Sequence, residues 1–152
     1  PLKAGVALLP AMVPIPIMAI LAGHATDKYG PRYPMLIGLL LAALALVLMG
    51  LTVGTDRYLF LVPTLLIWGI SVAWMFAPAL VAVMNSVPAE KQGQASGIVL
   101  SAQIFGATIG LAILSAVLNE FHNYRFVFIL TAVIVFFTLI VGWMYLDLKK
   151  TS

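Results

Sequence analysis

The chain contains no cysteine and very few charged residues. Of its 152 residues, 63% are hydrophobic and 9% are charged, whereas a soluble domain carries about a quarter charged residues. Without cysteine, disulfides and thiolate-based metal or redox chemistry are excluded. So few polar side chains cannot cover a surface exposed to water, and the composition therefore predicts that most of the chain is surrounded by lipid.

Groups for metal binding and catalysis are also scarce. His24 and His122 lie near opposite ends of apolar runs, and neither has a ligand partner at metal spacing. The apolar runs hold no paired carboxylates and no nucleophile–base pair, so we expect no cofactor and no enzymatic activity. The net charge of +3 comes from residues between the runs, which indicates membrane orientation rather than nucleic-acid binding.

The chain has instead five long runs without a charged residue. Each reaches the roughly 20 residues that a helix needs to cross about 30 Å of hydrocarbon. Barrel strands are shorter and alternate apolar with polar residues, and an isolated strand leaves its backbone unpaired in lipid. We therefore predict an all-α membrane protein, a single domain over 1–152, with five transmembrane helices at about 4–23, 34–53, 59–85, 94–118 and 126–146.

The connections between these runs are short, so consecutive helices should be antiparallel. One side of the membrane then receives five of the eight basic residues, namely Lys28, Arg32, Lys91, Lys149 and Lys150, and the other receives Lys3, Arg57 and Arg125. Because cytoplasmic loops are richer in Lys and Arg, this small excess predicts a cytoplasmic C-terminus in a plasma membrane such as the bacterial inner membrane. Pro1 would then lie outside, and a preceding helix would account for that position.

A polar stretch, GHATDKYGPRYP at 23–34, separates the first apolar run from the second. It combines a glycine, an acidic residue, a basic residue, a second glycine and an arginine at fixed spacing: Gly23, Asp27, Lys28, Gly30 and Arg32. Gly30 and Pro31 can turn the chain within a few residues. We expect Asp27 near the start of the following helix, where unpaired N–H groups favour a carboxylate. An ordinary short turn with positive residues on the cytoplasmic side is the alternative interpretation.

This spacing resembles the loop signature of the major facilitator superfamily, glycine-x-x-x-aspartate-basic-x-glycine-x-arginine, which there follows the second helix of each six-helix half. A second stretch, from Phe76 to Leu118, is similar to the drug/proton antiporter branch with fourteen helices. Its matching residues are Pro78, Val87, Pro88, Gly93, Ala95, Ser96, Gly97, Gln103, Gly106, Gly110 and Ala112. The resemblance covers nearly the whole chain.

The resemblance implies that the chain holds the final five helices of such a transporter, an incomplete C-terminal half whose partner is an N-terminal half outside this sequence. It implies a proton-coupled exporter of small lipophilic, drug-like compounds that works by alternating access in the lipid bilayer. The five matched residues of the first stretch would form a cytoplasmic gate motif. The helices matching the first, third and fourth spans would help to line the substrate cavity, and our lining candidates are Trp68, Phe76, Gln103 and Phe105.

Glycines are concentrated in the fourth span. Gly93 and Gly97 lie on one face of a helix, and Gly106 with Gly110 lies on the other. Small residues on both faces allow two neighbours to pack closely, which predicts that this helix is enclosed in the bundle. Chance enrichment is the alternative, because membrane helices are rich in glycine.

Prolines are concentrated in the first and third spans: Pro10, Pro14, Pro16, Pro63 and Pro78. Each removes a backbone donor and can kink its helix. Kinked helices around a cavity suit alternating access, but a static bend fits the sequence equally well.

Two functions therefore remain open from the sequence. The chain is either part of a secondary transporter or a self-contained small membrane protein that oligomerises or stabilises a partner. No Asp, Glu, Lys, Arg or His lies in the middle of any of the five runs. Proton coupling normally uses an ionisable group inside the membrane, so we expect the coupling group to lie outside this sequence and the 152 residues alone not to transport.

Overall fold

The computed structural model describes residues 2–54 and 58–148, and it gives the surroundings of side chains in 5–54 and 58–144. The α-helices in these ranges are α1 Leu2–Met12, α2 Pro14–Tyr29, α3 Arg32–Thr52, α4 Leu61–Met84, α5 Gln92–Phe121 and α6 Tyr124–Leu148. Single 3-10 turns at Tyr58–Phe60 and Ala89–Lys91 precede α4 and α5. The described ranges contain no strand, which confirms the all-α prediction.

Five helical segments are long and apolar enough to cross a membrane. They are Gly5–Tyr29, Arg32–Thr52, Tyr58–Met84, Ala89–Phe121 and Tyr124–Met144. Their number agrees with the five predicted spans, but several helices continue beyond the predicted ends. Several of the charged residues that we used to mark those ends, including Lys28, Arg32 and Glu120, occupy the first or last turn of a helix, because charge at a helix end is compatible with helical backbone and can reach water.

The first span, Gly5–Tyr29, is helical throughout except for a local interruption at Val13, between α1 and α2. Helix α1 ends at Met12 and α2 begins at Pro14. Pro14 has no N–H to continue the ladder, and it suits the first position of a new helix. Val13 still donates its backbone N–H to the Leu9 carbonyl at 2.9 Å, so the interruption is confined to about one residue.

The two prolines of helix α4 do not interrupt it. Pro63 lies in the first turn, where a missing N–H removes no helical hydrogen bond. Pro78 lies inside the helix, which nevertheless runs unbroken to Met84. Proline alone therefore does not determine where a helix in this bundle is interrupted.

The polar stretch at 23–34 is helical for most of its length. Helix α2 continues through Tyr29, and only Gly30 and Pro31 separate it from α3. Gly30 has φ +77°, a conformation that glycine adopts without strain. Our placement of Asp27 at the start of the next helix was therefore wrong: Asp27 lies in the last turn of α2, because no residue before Gly30 breaks the helix.

Helix α3 is the centre of the described bundle and packs against α4 on one side and α6 on the other. Its buried face consists mainly of small residues, namely Gly38, Ala42, Ala43, Ala45 and Gly50, together with Pro34, Leu46 and Met49. A Cβ on Gly38 would lie 2.8 Å from the backbone of Trp74 and Met75 in α4. A Cβ on Gly50 would lie 3.3 Å from the side chains of Phe128 and Ile129 in α6. The small residues thus allow close approach of helices on both sides of α3.

Besides the packing of α2 on α4, two specific contacts join α1 to the third span, Tyr58–Met84. Tyr58 donates its hydroxyl to the Ala7 carbonyl of α1 at 2.9 Å. Further along, Gly69 of α4 packs directly on the Ala11 carbonyl, and a Cβ on Gly69 would collide with that oxygen. Both contacts hold α1, the part of the span before the interruption.

Helix α5 lies at the edge of the described bundle. None of its residues is buried against the described part of the chain. A Cβ on each of its four glycines would meet no described atom within 4 Å: Gly93, Gly97, Gly106 and Gly110. The prediction that this helix is enclosed does not hold for the described residues, because α4 packs mainly on α3, α2 and α1 and α6 packs mainly on α3. Packing of these glycines against anything else stays a prediction.

Candidate functional site

A groove of about 420 Å³ separates α4 from α5. Its lining residues are Phe76, Ala77, Leu80, Ser96, Val99, Leu100 and Gln103. We call this the α4–α5 groove. No lining side chain carries a charge, and most are apolar, so the groove suits a small lipophilic molecule.

The spacing of these residues follows from helical geometry. Phe76 and Leu80 are four residues apart on α4, and Ser96, Leu100 and Gln103 follow at intervals of four and three on α5. Residues at such intervals share one helix face. The groove stays open because α5 contributes no close packing against α4 along this face: the described bundle buries none of its residues.

Two polar side chains line the groove, and they differ in their hydrogen bonding. Ser96 donates its hydroxyl to the carbonyl of Gly93 at 2.9 Å, within its own helix. Gln103 is half-buried, and its amide has no hydrogen-bond partner in 5–54 or 58–144. A primary amide in an apolar setting is costly when unpaired. Gln103 is therefore the polar group of the groove that is available to a ligand.

The four lining candidates do not all face the same groove. Phe76 and Gln103 line the same groove, whereas Phe105 faces a shallow concavity on another side of α5, beside Gly97 and Ser101. Trp68 lies half-buried two turns before Phe76 on α4 and lines neither. The sequence selected residues on α4 and α5, two of which share this groove, but it could not show which faces of the two helices look towards each other.

The gate-motif residues lie along the last two turns of α2 and at its junction with α3. Asp27, Lys28 and Arg32 are exposed, and a Cβ on Gly23 would meet no described atom within 4 Å. Lys28 places its Nζ 5.2 Å from the ring centroid of Tyr29. In 5–54 and 58–144, Asp27 makes no ion pair.

A smaller concavity of about 320 Å³ lies at the opposite end of α5, near its junction with α6. Its lining residues are Ser115, Leu118, Asn119, His122 and Tyr124. His122 ends α5 in a left-handed conformation, with φ 49°. Sequence reasoning missed this cluster, although the spacing of Ser115 and Asn119 by four residues could have indicated a polar face. Throughout the described ranges, no three His, Asp or Glu side chains converge as a metal site would require.

Comparison with known proteins gives the chain a family. The family model of the Major Facilitator Superfamily matches residues 3–152. The chain is 36% identical over 118 residues to the Multidrug resistance protein Stp of Mycobacterium tuberculosis, a match that covers 78% of this chain and 22% of that protein. It is 29% identical over 122 residues to the Tetracenomycin C resistance and export protein of Streptomyces glaucescens, again over 78% of this chain and 22% of the relative.

A third relative is named for the transport of a lipid. The chain is 35% identical over 119 residues to a Triacylglyceride transporter of Mycolicibacterium smegmatis, covering 72% of this chain and 21% of the relative. The chain thus spans less than a quarter of the length of these relatives. No solved structure matches it. With a family match over 3–152 and five membrane-length helices, this chain belongs to the major facilitator superfamily, a family of transporters, and is a multi-pass integral membrane protein.

Proposed function

We propose that this chain is part of a secondary active transporter that exports small lipophilic, drug-like compounds by alternating access, with protons as the coupling ion. The α4–α5 groove is the observation that carries the proposal: it is uncharged and largely apolar, and it contains two of the residues that the family resemblance selected, Phe76 and Gln103. Two relatives, whose names refer to multidrug resistance and to export, support transport out of the cell.

The remaining parts of such a transporter would lie outside this sequence. Matches that cover 22% of the relatives leave room for an N-terminal half and for the fourteen-helix arrangement of the antiporter branch. Alternating access requires two bundles that move about a shared site, and the described helices form one. Because no ionisable residue lies in the middle of any of the five apolar runs, the proposed coupling group would lie elsewhere in the protein.

The proposed location of the protein is a plasma membrane, with the α2–α3 junction on the cytoplasmic side. The excess of basic residues supports this orientation, although Lys149 and Lys150, which contribute to that excess, lie outside the described residues. The gate motif at the junction would then stabilise one state of the cytoplasmic entrance rather than bind substrate.

An efflux assay on the complete gene product tests the proposal. Bacterial cells that lack their own exporters would be loaded with Nile red, an uncharged lipophilic dye, with and without the transporter. We expect expression to lower dye accumulation and Phe76→Ala to abolish most of that effect, because the alanine removes the aromatic wall of the groove. Phe137→Ala is the matched control, since Phe137 is exposed on α6 and does not line the groove.

Two results would count against the proposal. Equal accumulation with and without the wild-type protein would contradict export, and would favour the alternative of a membrane protein that oligomerises or stabilises a partner. Equal loss of efflux in Phe76→Ala and Phe137→Ala, at normal expression, would contradict the placement of the substrate in the α4–α5 groove.

A further inference from the structure

The amide of Gln103 lies deep in the membrane span and has no hydrogen-bond partner in 5–54 or 58–144. It lies 12 residues after Lys91, where the 3-10 turn before α5 ends, and so about 18 Å along the helix at 1.5 Å per residue. This depth is within the membrane span Ala89–Phe121. Every other groove residue except Ser96 is apolar, and the Ser96 hydroxyl already donates to Gly93.

The charge distribution around the groove favours an uncharged ligand. The ionisable residues nearest in sequence to the groove are Glu90 and Lys91, which lie in the 3-10 turn at the end of the span. A cation that entered the groove would lose its hydration without meeting an opposite charge from the lining residues, which is a large cost. An uncharged molecule avoids this cost and can still bond to the amide, which both donates and accepts hydrogen bonds.

The aromatic wall adds a preference for ring systems. Phe76 is 40% exposed and lines the groove together with Leu80, on the helix opposite Gln103. An aromatic ligand can stack on or meet the edge of the Phe76 ring, which is favourable beyond the area it buries. The groove therefore combines an aromatic contact on α4 with a hydrogen-bonding contact on α5.

We propose that the α4–α5 groove selects uncharged aromatic molecules that carry a hydroxyl or carbonyl group, and that Gln103 is the specificity-determining residue. This inference rests on the proposed function, because it names the substrate class of the same groove. Gln103 acts by hydrogen bonding to the ligand and not by holding α4 against α5, since its amide has no partner in 5–54 or 58–144.

A matched series of fluorescent ligands tests the inference by binding. The complete gene product in nanodiscs would be titrated with 1-pyrenemethanol, 1-methylpyrene and trimethyl(pyren-1-ylmethyl)ammonium, which share one ring system and differ in the polar group. We expect the wild-type protein to bind pyrenemethanol about fivefold more tightly than methylpyrene, the effect of one hydrogen bond. The ammonium compound should bind more weakly than pyrenemethanol. Empty nanodiscs correct each ligand for partition into lipid.

The variants separate the role of Gln103 from a role in folding. Gln103→Met keeps the length of the side chain and removes its hydrogen bonding, and it should abolish the preference for pyrenemethanol while methylpyrene binds as in the wild type. Gln94→Leu is the control, because Gln94 lies on α5 outside the groove, and it should keep the preference. Each variant is checked for an unchanged melting temperature, and Gln103→Leu replaces Gln103→Met if the latter is unstable.

Two outcomes would overturn the inference. A preference for pyrenemethanol that survives in the folded Gln103 variant would assign recognition to another group, and tightest binding of the ammonium compound would assign a cationic substrate class. Failure of the proposed function is distinguishable from either: the protein would then show no efflux of Nile red, whatever its preference among the three pyrenes.

Discussion

Gly38 and Gly69 are the glycines that matter most for packing within the described bundle, and neither was selected from the sequence. Gly38 brings α3 onto the backbone of α4, and Gly69 brings α4 onto the Ala11 carbonyl. The four glycines that were selected, all on α5, meet no described atom within 4 Å. Glycine spacing in a sequence shows which residues share a face but not which face meets a neighbour.

Alanine at Gly38 should destabilise the protein. Its Cβ would lie 2.8 Å from the Trp74 and Met75 backbone, and backbone in a helix cannot move aside as a flexible side chain can. We expect a cost of about 1–3 kcal/mol, the usual size of overpacking, measured as a lower melting temperature in detergent. Gly23→Ala is the control: it also lies inside a helix, but its Cβ would meet no described atom within 4 Å. Equal melting of the two variants would contradict the close approach of α3 and α4.

The position of Asp27 in α2 changes the interpretation of its role. It lies in the last turn of α2, where the macrodipole disfavours a carboxylate, so helix capping does not explain its presence. In the complete gene product we expect Asp27→Asn to lower the transport rate and to leave substrate affinity unchanged, because the residue lies at a helix junction and not in the α4–α5 groove. Rate and affinity would be measured in the same vesicles, and a loss of affinity at normal rate would show that the gating interpretation is wrong. Tyr29→Phe serves as a neighbouring control.

Helix identity was predictable from the sequence because the physical requirement in lipid is simple. A run of about 20 apolar residues must satisfy its backbone internally, and the helix does so. The ends and interruptions were less predictable. The last turn of α2 accepts charged residues up to Gly30, and the first span breaks at Val13 while α4 continues through Pro78. Charge at a helix end and proline inside a run are therefore weak markers of a boundary: α2 ends at Gly30 and not at its first charged residue, and Pro78 does not interrupt α4.

Helix α5 is the element whose surroundings the described residues leave most open, and we propose that its glycines pack against helices outside this sequence. Gly106→Leu should then lower the melting temperature of the complete gene product, at an overpacking cost of about 1–3 kcal/mol. Ala107→Leu, at the next residue, is the control, because Ala107 is likewise exposed but lies on a different helix face. Melting unchanged by Gly106→Leu would mean that this face of α5 meets lipid or an open cavity.

Only two of the four lining candidates chosen from the sequence share the groove. Phe76 and Gln103 were chosen as lining residues and share the α4–α5 groove, whereas Trp68 and Phe105 point elsewhere. A resemblance can select the helices that surround a cavity. The rotation of α4 about its axis follows from its packing on α3, α2 and α1, and the small residues that allow this packing, such as Gly38, lie far from the groove in sequence.

At the scale of the whole molecule, the orientation in the membrane can be tested directly because the chain has no cysteine. Single cysteines at Ser86 and Asn123, both exposed in connections at the two ends of α5, should be distinguished by a membrane-impermeant maleimide applied to intact cells. We expect Asn123→Cys to be labelled and Ser86→Cys to be protected until the cells are opened. The reverse pattern would place the C-terminus outside and would contradict the orientation taken from the basic residues.

The central claim is that these helices belong to a proton-coupled exporter whose substrate site includes the α4–α5 groove. The most direct measurement is transport of 1-pyrenemethanol into inside-out proteoliposomes that contain the complete gene product, with an imposed pH gradient, acidic inside. We predict gradient-dependent accumulation that a protonophore abolishes and Phe76→Ala strongly reduces, and no accumulation by residues 1–152 alone. Accumulation that is independent of the gradient, or gradient-driven accumulation by residues 1–152 alone, would contradict the account.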